Sequence, residues 1–246
     1  VDIFSIGIIP LVILVITAFA ASTVAGVTGF GGAAILLPVL VAVFGVRDAI
    51  PILTVAQLIG NASRVWFNRK EVVWPLIRWF SLGAIPLALV GGLLFTQAPL
   101  PLLTRFVGVF LLLMVLWRHL RKKPVYRPTL KSFAFIGAGF SFLSALVGSV
   151  GPILAPFFLA YGLVRGAYIG TEAMSTVVMH VTKLVAYGGA AVLTGASVVT
   201  GLALGPIMLA GSYTGKRIVE RLPERLFIIL IELVLLISGL TLLVTG

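Results

Sequence analysis

The stretch Gly26-Val27-Thr28-Gly29-Phe30-Gly31-Gly32 interrupts an apolar beginning, with residues 3–25 before it and 33–44 after it. The first of these runs is long enough to cross a bilayer as helix. The second is not: about 12 residues make roughly 18 Å of helix, against a hydrocarbon core of about 30 Å. Four extended residues of the glycine run add roughly 13 Å, so break and helix together just span. A re-entrant hairpin that returns to its starting side is the other reading of the same residues. The pattern recurs at Gly148-Ser149-Val150-Gly151, which precedes another short apolar run, residues 152–163.

Outward from these breaks the whole chain is apolar. Of 246 residues, 60% are hydrophobic and 10% charged, and the mean hydropathy is +1.20. A soluble domain needs more polar surface than this. Ten apolar segments follow one another: residues 3–25, 33–44, 49–67, 72–95, 100–117, 130–147, 152–163, 167–187, 197–213 and 224–244. None shows the alternation of a barrel strand. The first has no basic n-region and reads as a membrane helix, not a cleaved signal peptide. The sequence therefore predicts an all-α integral membrane protein. Its formal charge of +11 sits in short connectors, as the positive-inside rule expects, so nucleic acid is excluded as a partner and the lipid bilayer is implied. With no cysteine, disulfides and thiolate metal sites are excluded. No metal-ligand cluster is evident, which disfavours a membrane-embedded enzyme, and neither a metal nor another cofactor is expected.

The two breaks belong to an internal repeat. A shift of 119 residues places Ser22 on Ser141, Gly29 on Gly148, Gly32 on Gly151 and Asn61-Ala-Ser-Arg64 on His180-Val-Thr-Lys183. Pro38, Arg47 and Ala49 fall on Pro156, Arg165 and Ala167 after a one-residue slip. The halves divide as residues 1–123 and 124–246, two membrane repeats within one transmembrane domain. Connector charge swaps between them. Arg69 and Lys70 face an uncharged counterpart at 188–196, whereas uncharged 96–101 corresponds to the connector of Lys216, Arg217, Arg221 and Arg225. Ten crossings put every strongly basic connector, including that of Arg121, on the cytoplasmic side, with both ends of the chain outside. Five segments per half is odd, so the repeats are inverted.

Inverted repeats with broken helices are a recurring transporter architecture. A helix that starts after a break offers unpaired N–H groups and a positive dipole end, which suits an anion. Glycine lets backbone approach ligand closely, so Gly29, Gly31, Gly32, Gly148, Ser149 and Gly151 are candidate substrate-binding residues. Glycines serving only tight helix packing are the competing reading. Asn61 with Arg64, and His180 with Lys183, share a helical face three residues apart. Ser63 and Thr182 precede the two cations. Cations with hydrogen-bonding neighbours suit an oxyanion, although either could instead snorkel to the interface. Glu172, His180 and Glu232 are candidate proton-coupling groups.

Ala25-Gly-Val-Thr-Gly-Phe-Gly-Gly32 after a first membrane helix, the Pro38 run, Arg47-Asp48-Ala49 and the echo Val147-Gly-Ser-Val-Gly-Pro152 resemble the sulfite exporter TauE/SafE family across essentially the whole chain. The resemblance implies a multi-pass permease of the bacterial inner membrane, moving sulfite, a sulfonate or a related organosulfur anion without ATP hydrolysis. It also implies a polar centre built from Gly29, Gly32, Gly148, Gly151, Asn61 and the Thr182-Lys183 pair. An anion channel or facilitator without proton coupling is the alternative function. Neither the anion, the direction of transport nor the oligomeric state is legible in the sequence.

Overall fold

A computed structural model describes residues 6–120 and 127–218, and all regular structure among them is helical. The tenth apolar segment, with Glu232, and the connector residues Arg121, Arg221 and Arg225 lie outside the described residues. The helices are α1 (Ile8–Thr28), α2 (Gly32–Phe67), α3 (Trp74–Gln97), α4 (Leu100–Leu120), α5 (Ser132–Val147), α6 (Gly151–Tyr161), α7 (Arg165–Gly189) and α8 (Gly195–Ile218). Among them α1, α2, α3 and α8 are long and apolar enough to cross a membrane. With 25 residues α7 is long enough too, but it carries Glu172, His180 and Lys183. All three are buried, as intramembrane ionisable groups are when they face a bundle interior.

Beside an apolar core, burial departs from that of a soluble protein in two ways. Large apolar side chains point outward, among them Ile8, Ile16, Leu82, Phe135 and Val185, while Gln57, Asn61, Arg64, Glu172, His180 and Lys183 are inside. Lipid solvates the first set without cost; the second needs partners within the protein.

The second and third sequence segments form one continuous element, α2, whose single non-helical residue is Gly45 (φ 75°, ψ 162°). A straight helix would hold Gly32 and Gln57 about 38 Å apart, yet both line one cavity. The chain therefore folds back at Gly45. Only a residue without a side chain adopts that φ readily, so the reversal takes one residue. The connector expected at Arg47-Asp48-Ala49 is instead the first turn of the returning arm. Arg47 donates to the carbonyls of Thr96 and Ala98 (3.4 and 3.0 Å), tying the bend to the loop between α3 and α4.

Small residues set the helix packing, as is common in membranes. The two most extensive helix pairs are α3 on α5 and α1 on α8. Gly211 lies against Phe19 and Ser22, and Gly215 against Thr23 and Gly26, so α1 and α8 run parallel. Residues 46–67 of α2 run the same way, since Gly201 meets Ile52 and Val55 while Gly205 meets Ile59. A second set is also mutually parallel. Gly83 meets Ala134 and Ala138 of α5, and Gly91 meets Phe142 and Ala145. Gly170, early in α7, lies against Asn68 and Val72 just before α3, while the later Gly92 meets Ala186. The two sets oppose each other. Arg64, near the end of α2, meets Glu172 near the start of α7. The earlier Leu53 and the later Lys183 both reach the end of α5.

Candidate functional site

Each glycine break ends one helix and starts another, and the two endings match atom for atom. At the end of α1, Gly29 adopts φ 79° and its N–H donates to the Ala25 carbonyl at 2.9 Å. At the end of α5, Gly148 adopts φ 79° and donates to the Ser144 carbonyl at 2.9 Å. Left-handed φ is the ordinary reason for glycine at a helix C-terminus. At Gly29 a Cβ would also meet the Tyr168 ring. At the start of α2, a Cβ on Gly32 would lie 2.7 Å from the Ala21 carbonyl oxygen, so the turn between α1 and α2 closes only around glycine.

Helix ends leave carbonyls without intrahelical partners, and here a cation serves each end. Arg64 donates through one Nη to the carbonyls of Ala25 (3.2 Å) and Gly29 (2.6 Å). Its other Nη donates to Asn61 Oδ1. Lys183 Nζ donates to Ser144 Oγ at 3.1 Å and to the Ser144 carbonyl at 3.5 Å. The 119-residue shift that relates Arg64 to Lys183 also relates Ala25 to Ser144. A cation beside a helix C-terminus complements its dipole. Both residues are buried, so neither snorkels to the interface.

Between the breaks lies a small polar cavity. Centres of water-sized spheres can occupy about 40 Å³ of it, room for about three waters, since one needs about 10–15 Å³ on this measure. Gly31, Gly32, Gly148, Ser149 and Gly151 line it from the breaks. Asn61 and Arg64 line it from α2, and Glu172 and His180 from α7. The structure thus gathers most of the candidate residues around one space. Gly29 contributes its carbonyl to Arg64 but does not line the cavity. Thr182 donates to the Val178 carbonyl at 2.8 Å and is not in the lining. Lys183 is one layer back, held by Ser144, which is itself a lining residue.

Three polar lining residues escaped the sequence reading: Gln57, Ser144 and Thr176. Gln57 stands one turn before Asn61, Thr176 one turn before His180, and the 119-residue shift superposes them. That signal was available. Glu172 has no such partner, because Leu53 occupies the matching place. Its Oε1 accepts from Thr176 at 3.2 Å, and its Oε2 lies 3.7 Å from an Arg64 Nη.

Several buried polar atoms of the lining have no hydrogen-bond partner among the described residues: Gln57 Nε2, Arg64 Nε, Ser149 Oγ, Glu172 Oε2 and His180 Nδ1. Buried polar groups are rarely left so. The first two can only donate, and Ser149 and neutral His180 can donate too. Added to them are the N-termini of α2 and α6, whose first residues also line the cavity.

Apolar helices turned outward around a buried polar centre between two helix breaks define a multi-pass membrane protein of the transport type. The family model for the sulfite exporter TauE/SafE matches residues 14–242, and the chain belongs to that family. Its members are membrane transporters of sulfur anions, not enzymes. No curated protein and no solved structure matches the chain.

Proposed function

We propose that this protein is a secondary transporter of the bacterial inner membrane that moves a small sulfur-containing anion such as sulfite or an organosulfonate. Its substrate site is the cavity between the two breaks. The observation that carries this reading is the set of donors without a partner among the described residues, Gln57 Nε2, Arg64 Nε and Ser149 Oγ, on side chains that line one space. Charge-assisted hydrogen bonds from such donors match a compact oxyanion. The volume favours a group of a few heavy atoms, so a longer sulfonate would place only its head here. Binding to the folded state alone raises apparent stability. Sulfite, thiosulfate, taurine or sulfoacetate should therefore raise the apparent Tm in detergent, and a carboxylate control should do so less. A response to none of these, with a clear response to a cation or a sugar, would remove the reading. Flux into proteoliposomes with and without a pH gradient separates a coupled transporter from an anion channel.

The reading extends to topology. The two halves, residues 1–123 and 124–246, are inverted repeats, and what supports this is helix direction. Helices α1, 46–67 of α2 and α8 run one way; their counterparts under the repeat, α5, α7 and α3, run the other. Connectors near Arg69, Arg121 and Arg217 then face the cytoplasm and both ends of the chain face outside. Because the sequence has no cysteine, single introduced cysteines report cleanly. A cysteine beside Arg217 should resist an impermeant thiol reagent added to intact cells, and one at residue 98 should react. Labelling beside Arg217 from outside would refute ten crossings.

A further inference from the structure

Glu172 is the acidic residue of the cavity wall, and it stands where an incoming anion must go. Its Oε2 has no hydrogen-bond partner among the described residues and lies 3.7 Å from Arg64 Nη1. Arg64 is the charged donor that lines the cavity directly, and that Nη1 already serves the Ala25 and Gly29 carbonyls. An oxyanion seated against Arg64 therefore competes with the Glu172 carboxylate for one guanidinium. Two negative charges sharing one guanidinium repel each other, and a dianion repels the Glu172 carboxylate about twice as strongly as a monoanion does.

The formal charges near the cavity count the rest. Arg64 and Lys183 are positive and Glu172 negative, so the empty site carries one net positive charge. A monoanion balances it with no proton. A dianion leaves one negative charge in excess, and a proton on Glu172 removes it. We propose that the site takes a doubly charged sulfur oxyanion together with one proton, which Glu172 accepts as the anion displaces its carboxylate from Arg64. This rests on the cavity being the anion site. The proton comes from water on the side from which the anion enters, and the carboxylate becomes a carboxylic acid that can still hydrogen-bond Thr176.

Among the described residues, the other titratable groups near Glu172 are few. Arg64 faces it from α2, while α5 and α6 present Ser144, Ser149 and Gly151 to the cavity. From the α2–α3 loop, the Val73 N–H donates to the Thr171 hydroxyl and brings no charge. On α7 itself Tyr168 lies one turn earlier and His180 two turns later. His180 lines the same cavity, so it is the rival proton acceptor.

Titration calorimetry of the full chain in detergent tests this. Thiosulfate and methanesulfonate are the ligands, because both stay fully ionised from about pH 5.5 to 8.5 and differ in charge. Repeating each titration in buffers of different ionisation enthalpy counts the protons taken up. The expected result is one proton with thiosulfate and none with methanesulfonate. Thiosulfate affinity should rise about tenfold per unit fall in pH wherever that proton is taken up. In Glu172→Gln thiosulfate should bind with no uptake and little pH dependence. Thiosulfate binding without a proton in the wild type, equal uptake with both anions, uptake that persists in Glu172→Gln, or methanesulfonate binding without thiosulfate binding would each overturn the proposal. They would leave the anion site standing. No binding of either anion or of sulfite at any pH would overturn the site itself. If Glu172→Gln does not fold, the wild-type contrast between the two anions still decides.

Discussion

Arg64→Ala should abolish anion binding and also weaken the protein, by the largest margin of any single substitution in the site. Three consequences coincide. The Gly29 carbonyl loses the Arg64 donor, and the Ala25 carbonyl is left with the Gly29 N–H alone. Asn61 Oδ1 loses its partner, and Glu172 is left buried without its counter-charge. Removing one member of a buried ion pair typically costs about 3–5 kcal/mol. Loss of a charge-assisted hydrogen bond to the ligand typically costs about 1.5–3 kcal/mol, or about 10- to 150-fold in affinity. The double variant Arg64→Met with Glu172→Gln separates the two effects, because it removes both charges together. It should recover much of the lost stability, read as apparent Tm, and none of the binding. Thiosulfate affinity near the wild-type value in that double variant would show that Arg64 only staples α1.

Lys183→Met should leave the fold standing and weaken thiosulfate binding by about tenfold, as loss of a nearby unit charge acting without contact would. The side chain is fully buried, so alanine would open a cavity of its own and confuse the result. Methionine keeps much of the volume and removes the charge, and replacing a buried charge by an apolar group is often neutral for stability. Lys183 reaches the cavity only through Ser144, whose hydroxyl it holds at 3.1 Å. Its effect on the anion is therefore field and positioning, not contact. Lys183→Arg keeps the charge, but a planar fork is larger than the ammonium it replaces, and partial binding is expected. Affinity in Lys183→Met equal to wild type, at matched protein, would leave Lys183 as a brace for the α5 break alone.

The two residues are equivalents in the repeat, and their roles diverge for a local reason. Arg64 is long and forked: it staples α1 and still lines the cavity, with Nε unpartnered among the described residues. Lys183 is a point charge spent on Ser144. The first break has Gly31 where the second has Val150, and Pro152 leaves α6 one amide fewer than α2. Under the proposed reading, the first half therefore supplies the stronger anion-binding end.

Sequence alone determined the membrane class, since hydrocarbon tolerates runs such as residues 3–25 only as helix. It also determined the two helix breaks, because glycine clusters beside short apolar runs leave few other conformations. The pairing of Asn61 with Arg64 followed from helical period, whereas His180 lines the cavity and Lys183, three residues on, bonds Ser144 instead. Burial did not follow. A cation a few residues from a connector can snorkel or turn inward, and only the carbonyls waiting at the ends of α1 and α5 settled that Arg64 and Lys183 turn inward. The fold-back at Gly45 was hidden for a similar reason, because one left-handed residue between helical stretches leaves no loop composition to read. The approach of Glu172 to Arg64 joins residues 108 positions apart through the opposed directions of α2 and α7. No local period encodes such a distance; the packing of the two halves decides it.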